Sequence, residues 1–178
     1  CEGGLDGNNS YGNSDIFLVK YNSSGVKQWT KQLGTSVYEI GWGISSDSTD
    51  NIYVTGATYG GLDGNTAVDG RDVFLVKYNA SGQKQWTKQL GTSSGDEGKG
   101  VALDSSGNIY VTGHTGGGLD WNTNSGGTDI FLIKYNYSGT KLWTKQLGTS
   151  SDEFVKAISI DSSNNLYVTG YTGGGLDG

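Results

Sequence analysis

Proline and methionine are absent from this chain, and it holds one cysteine, Cys1, and one histidine, His114. Without proline, tight turns must draw their special backbone angles from Gly, Asn, Asp or Ser. A lone cysteine closes no internal disulfide, so the fold must stand without one. A single histidine and a single cysteine give no cluster of zinc spacing, and no Gly-rich phosphate loop precedes a helix. Bases are few, 12 against 18 acids for a net charge of -6. Nucleic acid requires a basic stripe that displaces counterions, so no nucleic-acid partner is expected. The longest apolar runs, such as Ile16-Phe17-Leu18-Val19, are strand-sized and far short of a membrane span. A chain without methionine is expected to have been trimmed. Cys1 at its head then fits a bacterial lipoprotein whose only membrane contact is a lipid on that residue.

What the chain has in plenty is glycine (32), tyrosine (11) and tryptophan (5), with many Thr, Ser and Val. That composition favours strands over helices. It is also written three times over. "GGLDG" opens the chain (Gly3 to Gly7), returns at Gly60 to Gly64, becomes "GGLDW" at Gly117 to Trp121, and closes the chain at Gly174 to Gly178. Asp6, Asp63, Asp120 and Asp177 are each 57 residues apart, and Trp29, Trp86 and Trp143 keep the same period within "KQWTKQLGTS" or "KLWTKQLGTS". A fixed period of this size marks a solenoid, a propeller or an array.

Each repeat contains four short strand-like runs separated by turn signals. In the middle of the chain these are "GKGVALD" (Gly98 to Asp104), "IYVTGHT" (Ile109 to Thr115), "DIFLIKYN" (Asp129 to Asn136) and "TKLWTKQLG" (Thr140 to Gly148). "NSSG", "NASG", "NYSG" and "DSSGN" read as hairpin turns. Four antiparallel strands per repeat is the blade of a β-propeller, and no helix is expected.

"GVALDSSGNIYVTGHTGG" followed by "DIFLIKYNYSGTKLWTKQLG" resembles the bacterial SBBP beta-propeller repeat and, more distantly, the NHL repeat. The resemblance implies an all-β propeller with Gly98 to Asp104 as innermost strand A, Ile109 to Thr115 as B, Asp129 to Asn136 as C and the Trp143 strand as outer strand D. It also implies a ring of six or seven blades, whereas this chain has three repeats. Its order is then C-D (15-34), A-B-C-D (40-91), A-B-C-D (98-148) and A-B (154-172). An outer half-blade and an inner half-blade leave open sheet edges, which propellers remove by pairing last strands with first. The expected partner is therefore the chain itself, preferably as a dimer closing a six-bladed ring, with a head-to-tail polymer or a fragment of a longer propeller as alternatives.

Enzymatic signals are weak. "GTSSG" (Gly91 to Gly95) matches G-x-S-x-G, but a loop into another strand is no nucleophile elbow. His114 stands where the sister repeats have Ala57 and Tyr171, and reads as a tolerated surface substitution. The long B–C loops are better candidates. Each carries D-x-N followed by a second aspartate, giving Asp6, Asn8, Asp15; Asp63, Asn65, Asp72; and Asp120, Asn122, Asp129. Oxygen ligands at alternate positions suit calcium, and the competing reading is a set of Asx-capped turns.

Variation among the repeats also falls near these loops, in Tyr38, Trp42, Tyr59 and Trp121. Aromatic side chains beside acids and amides grip sugars by stacking and hydrogen bonding. Trp121, Asp120, Asn122, Tyr59, Asp63 and Asp96 are thus the candidate ligand-binding residues. The function expected is a non-catalytic extracellular or cell-surface scaffold that binds a carbohydrate or protein on its loop face. The alternative is a structural subunit that assembles into a ring or filament through its half-blades.

Overall fold

The computed structural model describes residues 4–176. Twelve strands pair antiparallel throughout, and the chain is all-β with propeller-like repeats. β1 (Ile16–Tyr21) and β2 (Lys27–Leu33) form a two-stranded sheet. β3 (Glu39–Ser46), β4 (Ile52–Thr58), β5 (Asp72–Tyr78) and β6 (Lys84–Leu90) form a four-stranded sheet in sequence order. β7 (Asp96–Leu103), β8 (Ile109–Thr115), β9 (Asp129–Tyr135) and β10 (Lys141–Leu147) form a second. β11 (Glu153–Ile160) and β12 (Leu166–Thr172) close the chain as another pair. Where the sequence predicts no helix, three single 3-10 turns occur, Leu5–Gly7, Leu62–Gly64 and Leu119–Trp121.

The turns follow from side-chain chemistry. In the "NASG" hairpin the Asn79 carboxamide oxygen accepts from the backbone N–H groups of Ser81 and Gln83, while Gly82 takes φ 74°. Asn22 accepts from the N–H groups of Ser24 and Val26, and Asn136 from the Thr140 N–H and the Ser138 hydroxyl, so the Asn of each N-x-Ser sequence is used locally. Between strands A and B, Asp47, Asp104 and Asp161 play this part and also accept from the hydroxyls of Tyr53, Tyr110 and Tyr167.

The sheets stack face to face. β3 packs against β7, and β7 against β11, so these are the innermost strands. Alternation sends Tyr53, Val73 and Leu75 of the first complete sheet toward Val111, Phe131 and Ile133 of the second. Phe74, Val76 and Tyr78 face the other way, onto Ile16 and Leu18 of the opening pair. Trp29 and Trp86 lie on the outer part of these cores, and the next sheet's hairpin turn rests on each indole. A methyl group on Gly82 would approach the Trp29 ring to 3.1 Å, and on Gly139 the Trp86 ring to the same distance.

Truncating a fully buried phenylalanine removes its transfer free energy and leaves a cavity. Phe131→Ala should therefore lower stability by about 3–5 kcal/mol in chemical denaturation. Gly113→Ala should also destabilise strongly, because its methyl would lie 1.8 Å from the Glu97 carbonyl oxygen. A neutral Gly113→Ala would contradict the β7–β8 pairing described above.

Candidate functional site

The B–C loops do not remain at the end of the sheet. Each descends along the outer strand of its own blade. The Leu119 N–H donates to the Gln146 side chain at 3.0 Å, and Leu119 itself is buried. The Asp120 carboxylate accepts from the Thr144 hydroxyl at 2.8 Å and pairs with Lys141. Leu62 and Asp63 repeat this on Gln89, Thr87 and Lys84, and Leu5 and Asp6 on Gln32, Thr30 and Lys27. Lys27 and Thr30 hold the Asp6 carboxyl below the usual range. At Asp120 partial burial pushes upward, yet Lys141 and Thr144 prevail and its pKa also falls.

The D-x-N…D sets are therefore spread over separate partners. Asn8, Asn65 and Asn122 donate through their amides to the carbonyls of Leu5, Leu62 and Leu119. Asp15, Asp72 and Asp129 each accept a backbone N–H from four residues earlier and a glutamine amide from the outer strand. Among the described residues no group of three or more His, Cys, Asp or Glu is arranged to hold a metal ion. Asp177 lies outside the described residues.

The six candidate ligand residues do not form one surface. Asp120, Trp121 and Asn122 share a loop, and Asp63 occupies the equivalent loop of the neighbouring blade. Tyr59 follows β4 and meets Tyr38 edge-on at 6.2 Å. Asp96 is not available to a ligand. It is fully buried, accepts from Thr92 and from the Thr115 hydroxyl, and burial raises its pKa. Glu39 and Glu153 make the same staple with Thr35 and Thr58, and with Thr149 and Thr172. Trp121 stands apart. It is 100% exposed and sits at φ 67°, where the sister loops have Gly7 and Gly64 at 78° and 77°.

A second group of side chains comes together elsewhere, and of its members the sequence reading singled out only Trp42 and His114. Each A–B ladder slips by one residue, and the skipped positions are Trp42, Lys99 and Lys156. Bulges re-aim side chains, and Trp42 stands where the other two sheets have lysine. The Lys99 ammonium lies 3.2 Å from the Trp42 ring centre and also pairs with Glu97. Glu97, nearly buried, meets Arg71 and accepts from His114 Nε2 at 3.2 Å. His114 is not a surface substitution: it is nearly buried and meets Phe154 edge-on at 5.0 Å. The signal that was available is positional variation within an otherwise repeated strand: Ile40, Glu97 and Phe154 are equivalents, as are Ser14, Arg71 and Thr128. "GTSSG" joins β6 directly to β7, with no helix following.

The model of the SBBP beta-propeller repeat matches at residues 28–63, 85–120 and 142–177. The chain belongs to that family. Among curated proteins, this propeller-repeat chain is 30% identical over 200 residues to the "Uncharacterized WD repeat-containing protein L264" of Acanthamoeba polyphaga mimivirus. That match covers 90% of this chain and 14% of the relative. It is also 30% identical over 174 residues to the "Regulatory protein FlaEY" of Caulobacter vibrioides, covering 89% and 18% respectively. The chain thus spans less than a fifth of either relative's length. These likenesses support a repeat scaffold.

The charged group gives the propeller a pH dependence. Burial pushes Glu97 upward, but hydrogen bonds from His114 and Lys99, with the charges of Lys99 and Arg71, bring its pKa to about 2 from 4.5. A depressed carboxyl contributes stability that is present above its unfolded pKa and fades as the pH falls from 4.5 toward 2. Glu97→Gln should therefore cost about 1–3 kcal/mol near neutrality, and the gap from the parent should narrow below pH 4.5 in denaturation measured against pH. A gap that is constant through that window would show that Glu97 is not held as an ion.

Proposed function

We propose that this chain is a non-catalytic propeller scaffold that holds a carbohydrate or protein partner through its B–C loops, in an extracellular or cell-surface setting. The observation that carries the proposal is Trp121. A large apolar side chain with no packing contributes nothing to the fold, and a non-glycine residue in the left-handed region costs about 1–2 kcal/mol. The sister loops avoid that cost with glycine. Retention of an exposed indole at such a position is explained by contact with something outside the chain, since tryptophan carries binding energy far out of proportion to its number. Asp120 and Asn122 flank it, already fixed by Thr144, Lys141 and the Leu119 carbonyl, so the loop is rigid before a partner arrives.

Support for a non-enzymatic role comes from the family and from the repeat-protein and regulatory names of the relatives. Trp121→Gly should weaken retention on a glycan array or a protein panel by about tenfold or more. It should leave stability unchanged or raise it by up to about 1 kcal/mol, because the backbone strain is relieved. Equal retention by parent and variant on both panels, or none by the parent, would overturn this function.

A further inference from the structure

The two complete sheets serve as internal standards for the two open ones. Phe74 and Phe131 are buried in the core, and their equivalent on β1, Phe17, is 66% exposed. Tyr78 and Tyr135 are buried, and Tyr21 is 59% exposed. On the opposite edge Tyr53 and Tyr110 are buried while Tyr167 is 59% exposed, and Val168 is exposed where Val54 and Val111 are not. On β3, Ile44 is exposed where Val101 is covered by the blade before it. Phe74 and Tyr78 owe their cover to the sheet before theirs and Tyr53 to the sheet after, neighbours that β1 and β12 lack, and β1 has no strand B beside it, nor β12 a strand C.

We infer that β1–β2 and β11–β12 are the two halves of one shared blade, and that a second copy of this chain supplies the missing half at each end. This stands independently of the role given to Trp121. The occupant is identified by sequence. Leu166 to Thr172 is a near copy of Ile52 to Thr58 and Ile109 to Thr115, which fill the equivalent place in the complete sheets. The place itself is open: a cleft of about 470 Å³ beside β1, lined by Ile16, Leu18, Ile40, Trp42, Ile44 and Val54, is where an A–B hairpin would lie.

The complete sheets also set the register. Val54 faces Val76, Thr55 faces Leu75 and Gly56 faces Phe74. The shared blade therefore places Val168 of one copy opposite Val19 of the other, Thr169 opposite Leu18, and Gly170 opposite Phe17. The hydroxyl of Thr55 donates to the Phe74 carbonyl at 2.7 Å, and that of Thr112 to the Phe131 carbonyl at 2.8 Å. Thr169 then donates to the Phe17 carbonyl across the copies. Lys77 and Lys134 lie over the rings of Tyr53 and Tyr110, and Lys20 takes the same position over Tyr167. One copy has one half of each kind, so reciprocal exchange between two copies leaves no edge open, which is the isologous closure a two-fold axis provides.

The test uses the chain of residues 1–178 carrying Cys1→Ser, with Val19→Cys and Val168→Cys together or singly. Light scattering on a sizing column should give twice the 18.7 kDa chain mass. Mild oxidation should lock the double variant into a covalent dimer that runs as such without reductant, while each single variant should stay uncrosslinked. The pair Tyr21→Cys with Leu166→Cys repeats the test at a second rung should the first fail to fold. A monomer would overturn the inference and assign the missing strands to further repeats of a longer chain. A dimer that does not crosslink at either rung, or particles larger than two copies, would overturn it as well.

Discussion

The innermost strands approach one another backbone to backbone, and the rest of the architecture is arranged around that approach. A methyl group on Gly43 would fall 2.9 Å from the Gly100 Cα and 3.0 Å from the Lys99 carbonyl oxygen, so β3 has no room for a side chain where it crosses β7. Drawing the inner ends this close makes the sheets fan outward, with small residues inside and large ones farther out. The tryptophans of the outer strands then fill what the fan opens, and glycine hairpins rest on their rings. The ladder slip beside Gly43 and Gly100 belongs to the same constraint: a strand that must come so near its neighbour bends, and the skipped residue leaves the sheet.

A second layer of order is electrostatic and local. Each repeat ties its D–A turn with one buried acid and two threonines, and its B–C loop with an aspartate, a threonine and a lysine. These acids resemble a ligand set when the sequence is read in a line, since all are oxygen donors at regular intervals. In space each has protein donors on at least one oxygen, while Oδ1 of Asp15, Asp72 and Asp129 is buried without a partner. Regular spacing here serves the repeat, and repeated side chains report scaffold.

Strand positions were legible because each run is short, alternating and bounded by turn chemistry, and because three copies say the same thing. The path of the B–C loop was not. It depends on Gln32, Gln89 and Gln146 capturing the loop from 27 residues away, and nothing in "TKQLG" marks its glutamine as an anchor. For this reason Trp121 stands by the outer strand, apart from Tyr59, and Asp96 belongs to a buried turn. The cluster around Glu97 was hidden differently. Its members come from four strands and one loop end, and only the stacking of blades brings them together. His114 looked tolerated because it occurs once, yet single occurrence was the informative property.

Near-identical repeats have a drawback: any hairpin fits nearly any socket, and a chain of them has several almost equivalent ways to stack. The group formed by Arg71, Trp42, Glu97 and Lys99 works against this. Arg71 and Trp42 belong to one complete blade and Glu97 and Lys99 to the next, so the contact exists at one interface alone among the described residues. At the equivalent places elsewhere stand Ser14 with Ile40, and Thr128 with Phe154. An arc stacked in another order would cost Glu97 its arginine and Lys99 its tryptophan ring, leaving only the partners within their own blade. The ion pair thus acts as an address, telling two otherwise interchangeable blades which neighbour is theirs.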